Sequence, residues 1–131
     1  VATKENIQII SAGIVRNHYL SNLTMTLNFL GDSFEYFAQA LTSSPCLCLS
    51  ELQLIGCFGV PASALGLVIE KVESLRELNC NSTNIQFKVG SQFISSALAL
   101  RKTPLHSLSL SKAGINRNKY SAIIESIITN I

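Results

Sequence analysis

Cysteine and histidine are the residue types of this 131-residue chain that could bind a metal ion or act as nucleophiles. Cys46 and Cys48 are separated by one residue, but no second thiol pair or histidine pair follows at the spacing of a zinc site. The two histidines, His18 and His106, each stand alone in the sequence. We therefore expect no metal site and no cofactor.

Serine, histidine and aspartate are all present, but the local motifs of the common catalytic sites are not. The chain has no G-x-S-x-G nucleophile turn, no glycine-rich phosphate-binding loop and no H-E-x-x-H zinc motif. We therefore expect no catalytic residues and no enzymatic activity in this chain.

The composition describes a folded domain of low charge. Hydrophobic residues make up 47% and charged residues 14%, which excludes a disordered segment and a highly charged coiled coil. The length fits about one domain. The formal net charge of +2 is too small to predict binding to nucleic acid.

The basic residues are concentrated in the second half of the chain. Residues 1–65 have a net charge of −2, and residues 66–131 have +4. The segment 101–119 contains bases and no acid, namely Arg101, Lys102, Lys112, Arg117 and Lys119. This basic segment is either a solvated surface or a contact for an acidic partner.

Residues 52–69 form the longest stretch without a formal charge, at 18 residues. Pro61 and several glycines and polar residues interrupt it, so we do not expect a membrane-spanning helix. The chain begins without Met and without a secretory signal pattern, and we expect it to be a piece of a longer protein.

Four segments repeat the phrase L-x-x-L-x-L-x-x-(N/C/T)-x-L: residues 20–30, 49–60, 75–85 and 105–115. Their second leucines are Leu23, Leu52, Leu78 and Leu108, at intervals of 29, 26 and 30 residues. The alternation within L-x-L predicts a short strand whose apolar side chains point to one face. The final copy departs from the phrase because Ala113 takes the Asn/Cys position.

A helical pattern follows each strand pattern. After the first strand, Asp32 and Glu35 have the spacing of a capping box, and Pro61 fits the first position of the second helix. Ser91 is the predicted N-cap of the third helix. The predicted inward faces are Phe34, Phe37, Ala38 and Leu41; Leu65, Val68, Ile69 and Val72; Ile94, Ala97 and Leu98; and Ile123, Ile124, Ile127 and Ile128, in a last helix from about residue 119.

Strand–turn–helix units of this kind cannot bury their apolar faces alone, so they stack into a solenoid. We predict repeats over residues 20–48, 49–74, 75–104 and 105–131. The segment 6–14 is similar to another strand and turn, so residues 1–19 are interpreted as a partial repeat or N-terminal cap. The chain ends in an apolar stretch, Ile123 to Ile131, which suggests a continuing array or self-association through this end.

Repeats of this length and phrase resemble the ribonuclease-inhibitor-like subfamily of leucine-rich repeats over residues 20–131. Within it, the run from Pro104 to Leu110 is similar to the repeat domain of CARMIL-type actin regulators. The resemblance implies an α/β leucine-rich-repeat solenoid, with a parallel inner sheet, outer helices and a concave face that binds a protein partner. In CARMIL-type proteins the segment that engages capping protein lies outside the repeats.

The predicted partner surface consists of the outward-facing strand positions, which we call the strip. The strip is polar and nearly uncharged, and it lacks the aromatic and arginine anchors that usually dominate binding energy. Its residues are Asn22, Thr24, Thr26, Glu51, Gln53, Ile55, Glu77, Asn79, Asn81, Ser107, Ser109 and Ser111.

The expected function is a protein-interaction scaffold within a larger intracellular protein. Cys80 takes an inward leucine position and Cys57 the turn position, so both are predicted to be buried free thiols, which favours the cytoplasm or nucleus. One alternative is a Ran-type GTPase-activating repeat protein, although that resemblance implies an acidic region after the repeats. A second is a secreted receptor ectodomain, for which disulfide-bonded caps would be expected.

Overall fold

A computed structural model describes residues 3–26, 30–44, 48–83, 85, 90–111 and 113 of the chain. In these residues helices and strands alternate in a mixed α/β arrangement. In chain order the elements are α1 (Lys4–Arg16), β1 (Asn22–Thr24), α2 (Ser33–Ser43), β2 (Glu51–Gln53), α3 (Ala62–Lys71), β3 (Glu77–Asn79), α4 (Gly90–Leu100) and β4 (Ser107–Ser109).

The four strands form one parallel sheet in the order β1-β2-β3-β4. Leu23 pairs with Leu52, Leu52 with Leu78, and Leu78 with Leu108. Parallel neighbours need a crossover connection, and α2, α3 and α4 each supply one between successive strands. The predicted parallel sheet, with these four leucines at equivalent positions, is confirmed.

The core lies between this sheet and the row of helices. Leu52 and Leu54 of the second unit and Leu78 and Cys80 of the third are fully or almost fully buried, as the alternation within L-x-L predicts. Each fully buried leucine contributes about 1.5–3 kcal/mol relative to exposure. One continuous cluster of buried side chains runs from Ile7 in α1 to Ala113 beyond β4.

Helices α2, α3 and α4 bury the predicted faces, and each helix contacts the next along the chain. The buried residues are Phe34, Phe37, Ala38 and Leu41 in α2, Leu65, Val68 and Ile69 in α3 with Val72 just after it, and Ile94, Ala97 and Leu98 in α4. The 3.6-residue period was therefore a sound guide to the inward side of these helices.

The strand predicted within residues 6–14 is wrong, because these residues lie in α1. Thr3 is the N-cap and its hydroxyl accepts a hydrogen bond from the Asn6 amide at 3.2 Å. Ile7, Ser11 and Ile14 are the buried residues of this helix, at a spacing of four and three. Ile9, which a strand would place on the same side as Ile7, is 70% exposed.

The predicted helix starts are correct to within one or two residues but differ in detail. Asp32 is the N-cap of α2, yet its side chain makes no capping hydrogen bond, so the capping box is not formed. Pro61 is the N-cap of α3 rather than its first helical residue. Helix α4 begins at Gly90, before the predicted cap Ser91.

The turn after β3 requires an unusual backbone conformation. Ser82 has a φ of 57°, and Gly56, at the equivalent place after β2, has a φ of 69°. Glycine adopts this left-handed conformation freely, whereas serine is held there at a cost of about 1–2 kcal/mol. The third unit thus carries backbone strain that glycine avoids in the second.

Some predictions fall outside the described residues. These are the turn position Asn28, the thiol Cys46, and the last helix from about residue 119 with its inward face at Ile123, Ile124, Ile127 and Ile128. Among the helices within the described ranges, none has the length and hydropathy needed to cross a membrane.

Candidate functional site

The parallel register brings the strip residues into rows across the sheet. Asn22, Glu51, Glu77 and Ser107 are paired along one row, and Thr24, Gln53, Asn79 and Ser109 along the next. The remaining strip residues, Thr26, Ile55, Asn81 and Ser111, follow two residues later. All twelve are partly or fully exposed, whereas the leucines between them are directed into the core. The eight strip residues within the strands therefore share one accessible face of the sheet.

Glu51 lies in the first row and is held by two amide side chains. Asn22 Nδ2 donates to Glu51 Oε2 at 2.8 Å from the preceding strand, and Gln53 Nε2 donates to Glu51 Oε1. An ionised carboxylate can accept about four hydrogen bonds, so each oxygen keeps capacity for a further donor. The carboxylate is therefore oriented on the sheet surface and still able to bind a ligand donor.

Asn81 connects β3 to β4 at the edge where the strands end. Its Oδ1 accepts hydrogen bonds from Ser109 Oγ at 2.7 Å and from the Ser111 amide at 2.8 Å. Asn79 Oδ1 in turn accepts from the Asn81 amide at 3.0 Å. Asn81 was predicted only as a contact position, although an asparagine just after a strand is known to bond nearby backbone.

A shallow depression of about 90 Å³ lies at the centre of the strip. Its volume is well above the 10–15 Å³ or so that one water molecule needs. Its lining consists of Glu51, Gln53, Glu77, Asn79, Ser107 and Ser109, together with Leu52 and Leu78, whose side chains are buried in the core. Polar side chains thus surround the depression.

The basic segment 101–119 is not a uniform exposed surface, because Arg101 is buried. Its guanidinium donates to the carbonyl oxygens of Ile69 at 2.7 Å and Val72 at 2.8 Å, at the end of α3, and also to that of Leu75. Burial, together with the charge of Arg76, lowers the pKa of Arg101 to about 10. Arg101 is therefore charged at neutral pH, but its guanidinium is bound to buried carbonyl oxygens and is not available to a partner.

The rest of the basic segment is only partly described. Lys102 is exposed and forms an ion pair with Glu73 at 3.0 Å. Lys112, Arg117 and Lys119 lie outside the described residues. An acidic-partner surface that includes Arg101 is therefore wrong, and the described part of the segment gives no cluster of free cations.

The thiols behave as small apolar groups in the core, as predicted for Cys57 and Cys80. Both are buried, and Cys48 is exposed. Cys57 Sγ donates to the Met25 carbonyl oxygen at 3.2 Å. Burial, with a contribution from Cys57, raises the pKa of Cys80 to about 12, so its thiol is not a nucleophile at neutral pH.

The turn position after each strand is filled by different residues in the four units. Thr83 is fully buried and its Oγ1 donates to the Cys80 carbonyl oxygen at 2.7 Å. Ala113 is fully buried as well, and its side chain has no group that can form such a bond.

Across the described ranges, no group of three or more His, Cys, Asp or Glu side chains is placed to hold a metal ion.

Comparison with known proteins gives no assignment. No protein-family model matches the chain, and no curated protein matches it significantly.

Proposed function

We propose that the chain is a leucine-rich-repeat solenoid of the ribonuclease-inhibitor-like type and that it works as a protein-interaction scaffold. The single observation that carries the binding role is the strip. Its twelve residues are all partly or fully exposed, and the eight within the strands lie on the sheet face opposite the core. Solenoids commonly use such a face for extended protein partners.

The repeat part of the proposal is supported by hydrogen bonds that recur between successive units. The carbonyl oxygen before each strand accepts from two consecutive amides of the next unit at 2.7–3.1 Å. The pairs are Ser50 and Glu51 to Ser21, Arg76 and Glu77 to Ser50, and His106 and Ser107 to Arg76. The same pattern at three successive strand starts fits a stack of equivalent units.

The ends of the strands repeat a second pattern. The amides of Met25, Leu54 and Cys80 each donate at 2.8 Å to a carbonyl oxygen of the next unit, at Gln53, Asn79 and Ser109 respectively. Each unit therefore makes the same backbone contacts with its successor at both ends of its strand. This translation of one set of contacts along the sheet is what a stacked repeat array requires.

Within this subfamily we propose a similarity to the repeat domain of CARMIL-type actin regulators, on the run from Pro104 to Leu110. The chain would then be a scaffold within a larger cytoplasmic or nuclear protein. Its partner would be held by the strip, with modest affinity because aromatic and arginine anchors are missing from these positions.

Site-specific photo-cross-linking in cells tests the binding role. Ser107, an exposed strip residue, is replaced by p-benzoylphenylalanine, and Ser96, an exposed residue of α4, is replaced in a matched control. We expect a discrete cross-linked protein partner from position 107 and none from position 96. Partners that cross-link only from position 96, or equally from both positions, would contradict the assignment of the strip.

A further inference from the structure

We infer that the strip selects a protein segment that carries arginine, and that this side chain binds in the central depression between Glu51 and Glu77. The inference rests on the proposed binding role of the strip and adds the chemistry of its partner. It is carried by the charge, the orientation and the surroundings of these two carboxylates.

The two carboxylates are neighbours on one face of the sheet. Glu51 and Glu77 are paired in register on β2 and β3, and neighbouring strands are about 4.8 Å apart. Neither forms an ion pair with a described residue. Like charges directly opposite one another on a sheet are unfavourable, so a cation placed between them would relieve this repulsion.

The basic residue next to Glu77 does not supply that cation. Arg76 Nη1 donates to the carbonyl oxygens of Glu73 at 2.8 Å and Leu75 at 3.2 Å. It thereby serves the connection between α3 and β3. The strip itself contains no lysine, arginine or histidine. A positive charge at the depression must therefore come from outside the strip.

Arginine suits the depression better than lysine does. A guanidinium has five donors in one plane, and the depression offers two carboxylates together with the amide and hydroxyl oxygens of Gln53, Asn79, Ser107 and Ser109. Because Asn22 and Gln53 already orient Glu51, little rotamer entropy remains to be lost on binding.

The two outer units indicate what surrounds the arginine. Asn22 and Thr24 on one side and Ser107 and Ser109 on the other are uncharged and small or medium in size. A second cation over these positions would compete for the same two carboxylates, since neither position adds a further one. The partner segment should therefore carry one central arginine among short polar residues.

Titration of the intact chain with a matched peptide set tests the inference. The probes are extended 11-residue peptides of Ser, Thr and Val whose central residue is Arg, Lys, Gln or Glu. Binding is followed by backbone amide chemical shifts, which localise a weak ligand to the strip. We expect the Arg peptide to bind about tenfold more tightly than the Gln peptide and to lose most of this advantage in about 0.5 M salt.

Substitutions separate the carboxylates from the overall charge of the protein. Glu51→Gln with Glu77→Gln should abolish the preference for Arg over Gln. Glu5→Gln with Glu35→Gln removes the same charge from exposed positions on α1 and α2 and should leave the preference intact. Unchanged urea unfolding of both double variants shows that the fold is retained.

The other outcomes distinguish the two levels of the proposal. If the Gln peptide binds the strip as tightly as the Arg peptide, or if the Glu51/Glu77 double variant keeps the preference, the arginine inference is overturned and the binding role stands. If none of the four peptides shifts the strip amides while the photo-cross-linking from position 107 also fails, both proposals are overturned. Tighter binding of the Lys peptide than of the Arg peptide would overturn the claim that the depression prefers a guanidinium group to an ammonium group.

Discussion

Arg101 shows how one side chain can replace several missing backbone hydrogen bonds. The carbonyl oxygens at the end of a helix have no partner within the helix. Arg101, at the end of α4, supplies donors to Ile69 and Val72 at the end of α3 and to Leu75 in the following connection. Arg101, which the sequence placed in the basic segment 101–119, thus joins two successive units through its hydrogen bonds.

Arg101→Ala should lower the free energy of unfolding by about 3 kcal/mol, because it leaves several buried carbonyl oxygens without donors. Arg101→Lys should lower it by less, since an ammonium group keeps the charge but cannot serve all of these acceptors at once. Urea unfolding followed by circular dichroism measures both changes. Arg16→Ala, at an exposed position in the last turn of α1, is the control and should cost under about 1 kcal/mol. An Arg101→Ala loss no larger than that of the control would show that these bonds contribute little.

Cys80 should make the fold sensitive to alkaline pH. Its pKa is raised from about 9 to about 12 in the folded state, so above pH 9 the unfolded chain loses a proton that the folded chain keeps. Stability is therefore lost as pH rises from about 9 towards 12, by up to about 1.4 kcal/mol per pH unit. Cys80→Ala should flatten this dependence, whatever its effect at pH 7.

The measurement is the urea midpoint of the parent and of the variant between pH 8 and about pH 10.5. Cys48→Ala, which removes an exposed thiol, serves as the control and should retain the parent slope. Equal slopes for the parent and Cys80→Ala would mean that another group causes the alkaline loss.

At the scale of the elements, two glycines in helices have opposite surroundings. A Cβ at Gly66 of α3 would lie 3.1 Å from the backbone oxygen of Phe93 in α4, whereas a Cβ at Gly13 of α1 would meet nothing within 4 Å. The close approach of α3 and α4 therefore depends on Gly66. Gly13 has no comparable packing role.

Gly13→Ala should raise the free energy of unfolding by about 0.5–1 kcal/mol through helix propensity alone. Gly66→Ala gains the same propensity but must separate two helices, at a cost of roughly 1–3 kcal/mol, so a net loss of about 1 kcal/mol is expected. Thermal unfolding of the two variants side by side decides the point. Stabilisation by both substitutions would show that α3 and α4 can move apart freely.

The elements could be predicted from the sequence wherever the apolar period was unambiguous. The L-x-L phrase correctly placed Leu23, Leu52, Leu78 and Leu108 in paired strands, since a period of two over three residues between turn signals fits little else. The segment 6–14 failed because Ile7 and Ile9 also alternate, and this hid the helical spacing of Ile7, Ser11 and Ile14.

The sequence could predict the positions of the candidate site residues but not their side-chain contacts. Repeat register was enough to place the eight strip residues of the strands in two rows on one face. It could not show that Glu51 is held by Asn22 from 29 residues away, or that Asn81 binds the neighbouring strand, because both depend on side-chain rotamers. The burial of Arg101 was likewise hidden, since its acceptors are backbone groups with no sequence signature.

At the scale of the whole molecule, one apolar cluster connects every unit that the structure describes. Leu78, at the centre, is 1% exposed, whereas Leu23 in the first strand is only partly buried. Damage at the centre should therefore weaken contacts with the units on both sides. Damage at Leu23 should reach fewer of them.

Leu78→Ala should cost about 3–4 kcal/mol, and Leu23→Ala about 1–2 kcal/mol, because the second side chain loses less burial and leaves a smaller cavity. In the Leu78→Ala variant, amide hydrogen exchange in β1 to β4 should report one common loss of protection. Selective loss of protection in β3 alone after Leu78→Ala would show that the units unfold independently.

The doubled hydrogen bonds at Ser21, Ser50 and Arg76 fix where each strand starts relative to the one before it. A helical connection can then gain or lose residues without shifting any later pairing, because alignment is re-established at each new strand. This accounts for spacings that vary between 26 and 30 residues in one regular sheet. A single residue inserted within β2 or β3 would instead turn that strand's leucine towards water.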